Sequence, residues 1–302
     1  MNMDIFEIKN LNCAYKEYGR ERSRIVLHIK ELNIPAGKLV FIIGSSGIGK
    51  STILETLGLM NNTLDGKPNN SIFKYHHPKT NETYDLIEII ERDNDQELSA
   101  FRRSNFSFIF QQTNLMHNFS TYQNVMITSM LQGETEKKSK SKTKEIFEVI
   151  GITEEDVSGV PTKLAGGQQQ RLAYARAILP DFNVLFGDEP TGNLDFGNAN
   201  ILINDIKTQI KEKKATAIIV SHDLNLAIEF ADLILLIQPV KDEEGKIIMG
   251  YVDALSAFQN IGNGQWLNDK KTYRNNQDLH IFLKERISNK RFIPSPIIIA
   301  KN

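Results

Sequence analysis

An apolar run at residues 38–43 leads directly into Gly44, Ser45, Ser46, Gly47, Ile48, Gly49, Lys50 and Ser51. Ile53, Leu54 and Leu57 follow as the apolar side of a helix. The pattern G-x-x-x-x-G-K-S between a strand and a helix commits the chain to a strand–loop–helix unit whose backbone N–H groups curl around an anion. Glycines permit the curl, and the helix start adds the positive end of its dipole. The chemistry of such a loop assigns Lys50 to the β- and γ-phosphates of a nucleotide and the Ser51 hydroxyl to Mg²⁺, with Thr52 as a further contact. A plain glycine turn is the competing interpretation. The flanking strand and apolar helix count against it.

Two more apolar runs end in reactive groups. Residues 184–187 run into Asp188 and Glu189, and residues 217–220 run into Ser221, His222 and Asp223. In a parallel α/β sheet the carboxyl ends of the strands share one edge, where ligands bind. That edge would gather Lys50, Asp188, Glu189 and His222 around a γ-phosphate. Asp188 is then expected to hold Mg²⁺ through water, Glu189 to act as general base on the attacking water, and His222 to donate to the γ-phosphate. Taken alone, the acids read as a helix start or turn, and the histidine as a strand-end cap.

A second glycine string, Leu164, Ala165, Gly166, Gly167 and Gln168, opens a helix expected over 168–179 and stopped by Pro180. Leu172, Ala175 and Leu179 share one face of it. A Gly-Gly pair at a helix start is another anion site, with free N–H groups plus dipole.

The rest of the chain bounds the answer. Its 302 residues are 40% hydrophobic and carry a net charge of −1, which excludes a disordered chain and disfavours a generally basic nucleic-acid binder. The single cysteine, Cys13, cannot form an internal disulfide, as suits a reducing compartment. The longest apolar runs, 39–43, 216–220 and 233–237, are far too short to span a membrane, and the first residues lack the form of a signal peptide. A cytosolic protein is expected, with any membrane part supplied by a partner. Residues 71–75 and 83–90 read as strands within a polar stretch, 95–103 as a short helix, and 122–150 as helical. The lysine-rich piece 134–145 reads as a solvated loop and helix start.

The order phosphate loop, Gln111, Leu164–Gln168, Asp188-Glu189, Asn193-Leu194-Asp195 and His222 resembles the ATP-binding-cassette (ABC) ATPases, over roughly 4–240. The string from Glu189 to Asp195, with Phe110-Gln111-Gln112 and Gly167–Arg171, looks most like the subfamily of lipoprotein-release, macrolide- and peptide-export and cell-division cassettes. The resemblance implies an α/β fold: a P-loop NTPase core with a mixed, mainly parallel sheet, an N-terminal antiparallel β-subdomain and an inserted α-helical subdomain. The cassette would span 1–240, its helical subdomain about 112–163. A C-terminal extension, 241–302, is expected to pack on it.

It also implies an ATP-hydrolysing subunit using Mg²⁺ that pairs head to tail, as a homodimer or with a second cassette, and sandwiches two ATP molecules. The enzyme would drive an integral membrane permease from the inner face of the cell membrane, in transport or in transmembrane signalling, with no nucleic acid involved. Tyr15 would stack on adenine, Tyr18 being a second candidate. Gln111 would touch Mg²⁺ and relay nucleotide state, with Gln112 as the alternative register. Gly166 and Gly167, flanked by Leu164, Ala165 and Gln168, would bind the γ-phosphate in trans, and Asp195 would contact the opposite phosphate loop. The surface near 113–123 would receive the permease.

Two departures stand out. The signature usually has serine where this chain has Ala165, which removes one hydrogen bond, about 1 kcal/mol net. The 61–100 segment and the tail after 240 are long for a compact cassette. A soluble ABC ATPase acting on nucleic acid or ribosomes is the reading from another class. The single phosphate loop and the lack of sustained heptads weigh against it. A regulatory module that binds nucleotide without hydrolysis is a third, opposed by the intact Lys50, Ser51, Asp188, Glu189 and His222.

Overall fold

The computed structural model describes residues 3–16, 23–64, 70–153, 158–269 and 271–288. In chain order, β1 (Asp4–Lys16) and β2 (Ser23–Pro35) form an antiparallel pair, and β3 (Leu39–Ile43) enters the phosphate loop and α1 (Lys50–Leu57). A hairpin of β4 (Ile72–His76) and β5 (Thr83–Asp85) precedes α2 (Leu86–Glu91), α3 (Asp95–Asn105) and β6 (Phe106–Ile109). Then come α4 (Thr121–Leu131), α5 (Glu136–Ile150), α6 (Gly166–Ile178), β7 (Val184–Asp188), α7 (Phe196–Lys213), β8 (Thr216–Val220), α8 (Leu224–Phe230) and β9 (Leu233–Leu236). The last elements are β10 (Gln238–Lys241), β11 (Ile247–Val252), β12 (Ala257–Gly262), β13 (Gln265–Asn268), β14 (Lys271–Tyr273) and α9 (Asn276–Ser288).

The central sheet has the order β14-β13-β12-β9-β3-β8-β7-β6, and the run from β9 to β6 is wholly parallel. Parallel strands covered on both faces read as unbroken apolar runs, which is why 39–43, 216–220 and 233–236 carry no polar alternation. Their alternate side chains still go to different cores. Leu39, Phe41 and Ile43 join α6, α7 and α8 residues such as Leu172, Ile203 and Leu226. Val40 and Ile42 join Ile53 and Leu57 of α1 and Ile5, Ile8 and Leu27 of the second sheet. That second sheet, β10-β11-β2-β1-β4-β5, is antiparallel except where β11 runs parallel to β2. Helices α4 and α5 pack on each other and on α6, forming a helical layer beside the central sheet.

Two expectations need correction. The strand expected over 83–90 stops at Asp85, whose carboxylate accepts the N–H groups of Ile87 (3.0 Å) and Glu88 (3.3 Å) and so starts α2. The helix expected over 122–150 is two helices. Gly133, at φ 91°, turns the chain between them, and Thr135 caps the second. The lysine run is, as expected, the end of a loop and the solvated start of α5, with Lys138 and Lys142 paired to Glu134 at 2.6 and 3.0 Å and Lys140 to Glu136 at 2.6 Å.

Beyond residue 240 the chain continues both sheets. β11 lies along β2, β12 pairs antiparallel with β9, and Trp266, Leu279 and Leu283 are fully buried in the core that holds Phe41. Tyr18 and the apolar stretch 292–299 lie outside the described residues.

Candidate functional site

The end of β3 sets the site. Gly47 (φ +72°) and Gly49 (φ +104°) hold left-handed backbone that disfavours side chains, and Gly49 also lies under Leu27 and Val26 of β2. The loop closes on its own lysine. Lys50 is buried, and its Nζ donates to the Gly44 carbonyl at 3.1 Å and to that of Ser45 at 3.0 Å. Burial lowers its pKa, while Glu189 and Asp188 act in the opposite direction. The lysine is thus held among acceptors where a triphosphate would lie.

β7 and β8 bring the acids and the histidine to the same edge, in register: Asp188 is paired with Val220, one strand over from β3. Burial raises the Asp188 carboxyl above the usual range, against a hydrogen bond from Ser51. Glu189 departs from the strand with φ +48°, and its N–H donates to the Val220 carbonyl at 3.0 Å. A non-glycine residue in the left-handed region persists where its surroundings over-determine it, and this turn throws the carboxylate toward the site. Glu189 Oε1 lies 2.6 Å from His222 Nε2, and Gln111 Nε2 donates to Glu189 Oε2 at 3.4 Å. The second-register candidate, Gln112, is exposed at the same turn. Lys50, Ser51, Asp188, Glu189, Gln111 and His222 therefore converge.

The second glycine string stands apart, at the start of α6 on the helical layer. Leu164 is buried, Ala165 and Gly166 are exposed and Gly167 is half-buried beside Leu194. Ala165 is the N-cap and has no side-chain acceptor for the helix. Only the reciprocal bond remains, from its own N–H to Gln168 Oε1 at 3.0 Å. Asp195 is exposed and caps α7, accepting from the Asn198 N–H (3.0 Å) and Nδ2 (2.6 Å), bonds that lower its pKa. Tyr15 is 37% exposed at the end of β1, with its hydroxyl 3.3 Å from Thr52 Oγ1, so it borders the helix of the phosphate loop.

Two links between these regions were not legible in the sequence. Buried Gln170 of α6 donates to the Pro190 carbonyl at 2.7 Å, joining the second glycine helix to the turn after Glu189. Arg176 of the same helix donates to the carbonyls of Thr113 and Asn114, both at 2.7 Å, fixing the segment after Gln111. Gly250 of β11 is a third omission: a Cβ there would sit 2.2 Å from the Ile48 carbonyl oxygen. A glycine inside a strand is the available signal for such an approach.

No group of three or more His, Cys, Asp or Glu among the described residues could hold a metal unaided. The hard oxygens of Ser51 and Asp188 suit Mg²⁺, which takes one or two protein ligands and completes its shell with phosphate and water.

Residues 27–192 match the ABC transporter family model. The chain is 36% identical to a lipoprotein-releasing system ATP-binding protein, LolD, of Bdellovibrio bacteriovorus, over 72% of this chain and 91% of that one. It is 33% identical to a macrolide export ATP-binding/permease protein, MacB, of Aggregatibacter actinomycetemcomitans, over 74% of this chain and 32% of that longer one. Among solved structures it is similar to the dimeric, ADP- and phosphate-bound ATP-binding cassette MJ0796. The TM-score is 0.65 at 27% identity, covering 85% of this chain and 99% of that one.

Proposed function

Because the chain belongs to the ABC transporter family, we propose that it is the ATP-hydrolysing subunit of a transporter, pairing head to tail with a second cassette and driving a separate integral membrane permease. The observation that carries this reading is the convergence of Gln111 and His222 on Glu189, beside Asp188, Ser51 and Lys50.

ATP places its triphosphate in the loop 44–51, and Lys50 Nζ exchanges the Gly44 and Ser45 carbonyls for the β- and γ-phosphates. Glu189 orients a water and takes its proton as the water oxygen bonds to the γ-phosphorus. The bond from that phosphorus to the β–γ bridging oxygen breaks, giving ADP and inorganic phosphate. His222 fixes the Glu189 carboxylate and would donate to the γ-phosphate. Ser51 and Asp188 would hold Mg²⁺, which neutralises charge on the β- and γ-oxygens when bound.

The positions of Gly166, Gly167 and Asp195, exposed or half-exposed and separate from the loop, support completion of each site by a second subunit. Binding then closes the pair and hydrolysis reopens it, a closure driven by differential affinity. In the same reading the cassette 1–240 does the chemistry, with 112–163 as its helical subdomain, and 241–302 braces it. Among the described residues no helix is long and apolar enough to cross a membrane. We place the subunit at the cytoplasmic face, held there by its permease. A largely apolar cavity of about 330 Å³ lies beside the Arg176-held segment, lined by Phe108, Phe110 and Leu131 among others.

The test uses tagged Glu189→Gln protein with ATP and Mg²⁺ as bait in detergent-solubilised membranes of its own cell. ATP-dependent recovery of a polytopic membrane protein supports the reading. Recovery of ribosomal or nucleic-acid proteins alone overturns the permease assignment.

A further inference from the structure

The Tyr15 hydroxyl donates to Glu55 Oε2 at 2.7 Å, and Thr52 Oγ1 lies 3.3 Å away. Both partners belong to α1, whose first turn is the phosphate loop's own helix start. The same Glu55 oxygen accepts from Asn61 Nδ2 at 2.9 Å, so the carboxylate is held from two sides. The backbone beside the tyrosine is fastened to the same region. The Ala14 N–H donates to the Thr63 carbonyl at 2.7 Å, Cys13 bridges Leu64, and Thr63 Oγ1 lies 2.6 Å from Thr56 Oγ1. Burial, aided by Glu55, pushes the Tyr15 phenol up to about 12, so it remains a donor at neutral pH.

Glu55 has no cationic partner among the described residues. Its charge also helps to raise the Asp188 carboxyl, and it stands near the site of an anionic ligand. On electrostatic grounds an acid is unfavourable here, so its presence calls for a compensating role. The contact that supplies one is the bond to Tyr15.

We propose that Glu55 is a positioning residue for nucleobase binding. Its hydrogen bond to the Tyr15 hydroxyl fixes the aromatic ring relative to the phosphate loop, so that one rigid body presents both the stacking face and the phosphate cradle. The inference rests on the assignment of Tyr15 to adenine. Ordering the ring before ATP arrives removes that cost from the binding step.

Calorimetric titration of the full chain with ATP and with inorganic tripolyphosphate separates the roles. Tyr15→Ala weakens ATP by about tenfold or more and leaves tripolyphosphate alone. Tyr15→Phe weakens ATP about three- to tenfold without effect on tripolyphosphate, and Glu55→Ala, whose lost charge acts on both ligands alike, lowers ATP affinity relative to tripolyphosphate affinity by the same factor, with the double variant no worse than either in that ratio. Glu55→Gln, whose amide oxygen still accepts, keeps the wild-type ratio of ATP to tripolyphosphate affinity. Retained tripolyphosphate binding shows that loop and fold are intact. The proposal is overturned if Glu55→Ala leaves the ratio of ATP to tripolyphosphate affinity unchanged or raises it. If Tyr15→Ala leaves ATP affinity unchanged, the adenine assignment itself is wrong. If Tyr15→Ala weakens ATP and Glu55→Ala does not lower that ratio, only the positioning role is.

Discussion

His222 Nε2 stands 2.6 Å from Glu189 Oε1, so residues just past the ends of two neighbouring parallel strands hold each other across the site. Glu189 is further held by Gln111 and by its own N–H bond to the Val220 carbonyl. A carboxylate tied at both oxygens is oriented before substrate arrives, as a general base needs to be.

Glu189→Gln keeps the shape and one accepting oxygen and removes the proton acceptor. Phosphate release is expected to fall about 10²- to 10⁴-fold, the span ordinarily ascribed to a positioned base. ATP binding should persist, and the variant should accumulate as an ATP-bound dimer in size-exclusion chromatography with light scattering. A monomer at saturating ATP would sink the head-to-tail model.

Asp188 gives a pH-dependent prediction. Burial raises its folded pKa, so its contribution to stability is present below the ordinary carboxylate range and lost as pH rises through the raised value. At neutral pH the ionised, half-buried carboxylate therefore destabilises the nucleotide-free protein. Asp188→Asn is expected to raise the melting temperature at pH 7, with the gain shrinking as pH falls below the raised pKa. Mg²⁺-dependent hydrolysis should be lost in the same variant. Thermal melts across pH check the first part, and a gain that does not shrink in acid contradicts it.

Ala165→Ser restores the missing acceptor at the start of α6, where Ala165 now offers the helix no side-chain cap. A serine N-cap in place of alanine stabilises by about 0.5–2 kcal/mol. Denaturant melts should show that gain. The added hydroxyl should also tighten the ATP-bound pair, read as a lower dimer dissociation constant for Glu189→Gln/Ala165→Ser than for Glu189→Gln alone.

The residues legible in the sequence share a physical trait. Asp188 ends a short apolar strand and Glu189 follows it, His222 lies two residues past another, and Lys50 closes the glycine loop after a third, so local pattern and parallel-sheet geometry together locate them. The core strands were legible for the same reason. Pairings distant in sequence were not. β12 finds its place by pairing with β9, and nothing local marks that choice. At 83–90 the β-like Thr83 and Tyr84 outweighed a single capping aspartate, Asp85, which decides the helix. Glu55 belongs to no motif, because its meaning comes from Tyr15, which the fold alone brings beside it.

Gly250 tests that last kind of relationship. It lies in β11, in register with Leu27 of β2, and a Cβ there would meet the Ile48 carbonyl oxygen at 2.2 Å, Ile237 Cγ2 at 2.8 Å and Leu27 Cδ1 at 3.0 Å. Ile237 and Leu27 are fully buried, so neither has free space to yield into. A shift of the backbone at Ile48, between Gly47 and Gly49, is the relief that would reach the loop. Gly250→Ala is therefore expected to destabilise by about 1–3 kcal/mol, as overpacking does. Because the displaced atom belongs to the phosphate loop, binding of ATP and of tripolyphosphate should weaken together, by tenfold or more where the loop shifts enough to misalign its N–H donors. Calorimetry against a variant of similar stability loss elsewhere in the core, such as Leu279→Ala, isolates the effect. Equal affinities in the two would mean that the strand supports the fold without shaping the loop.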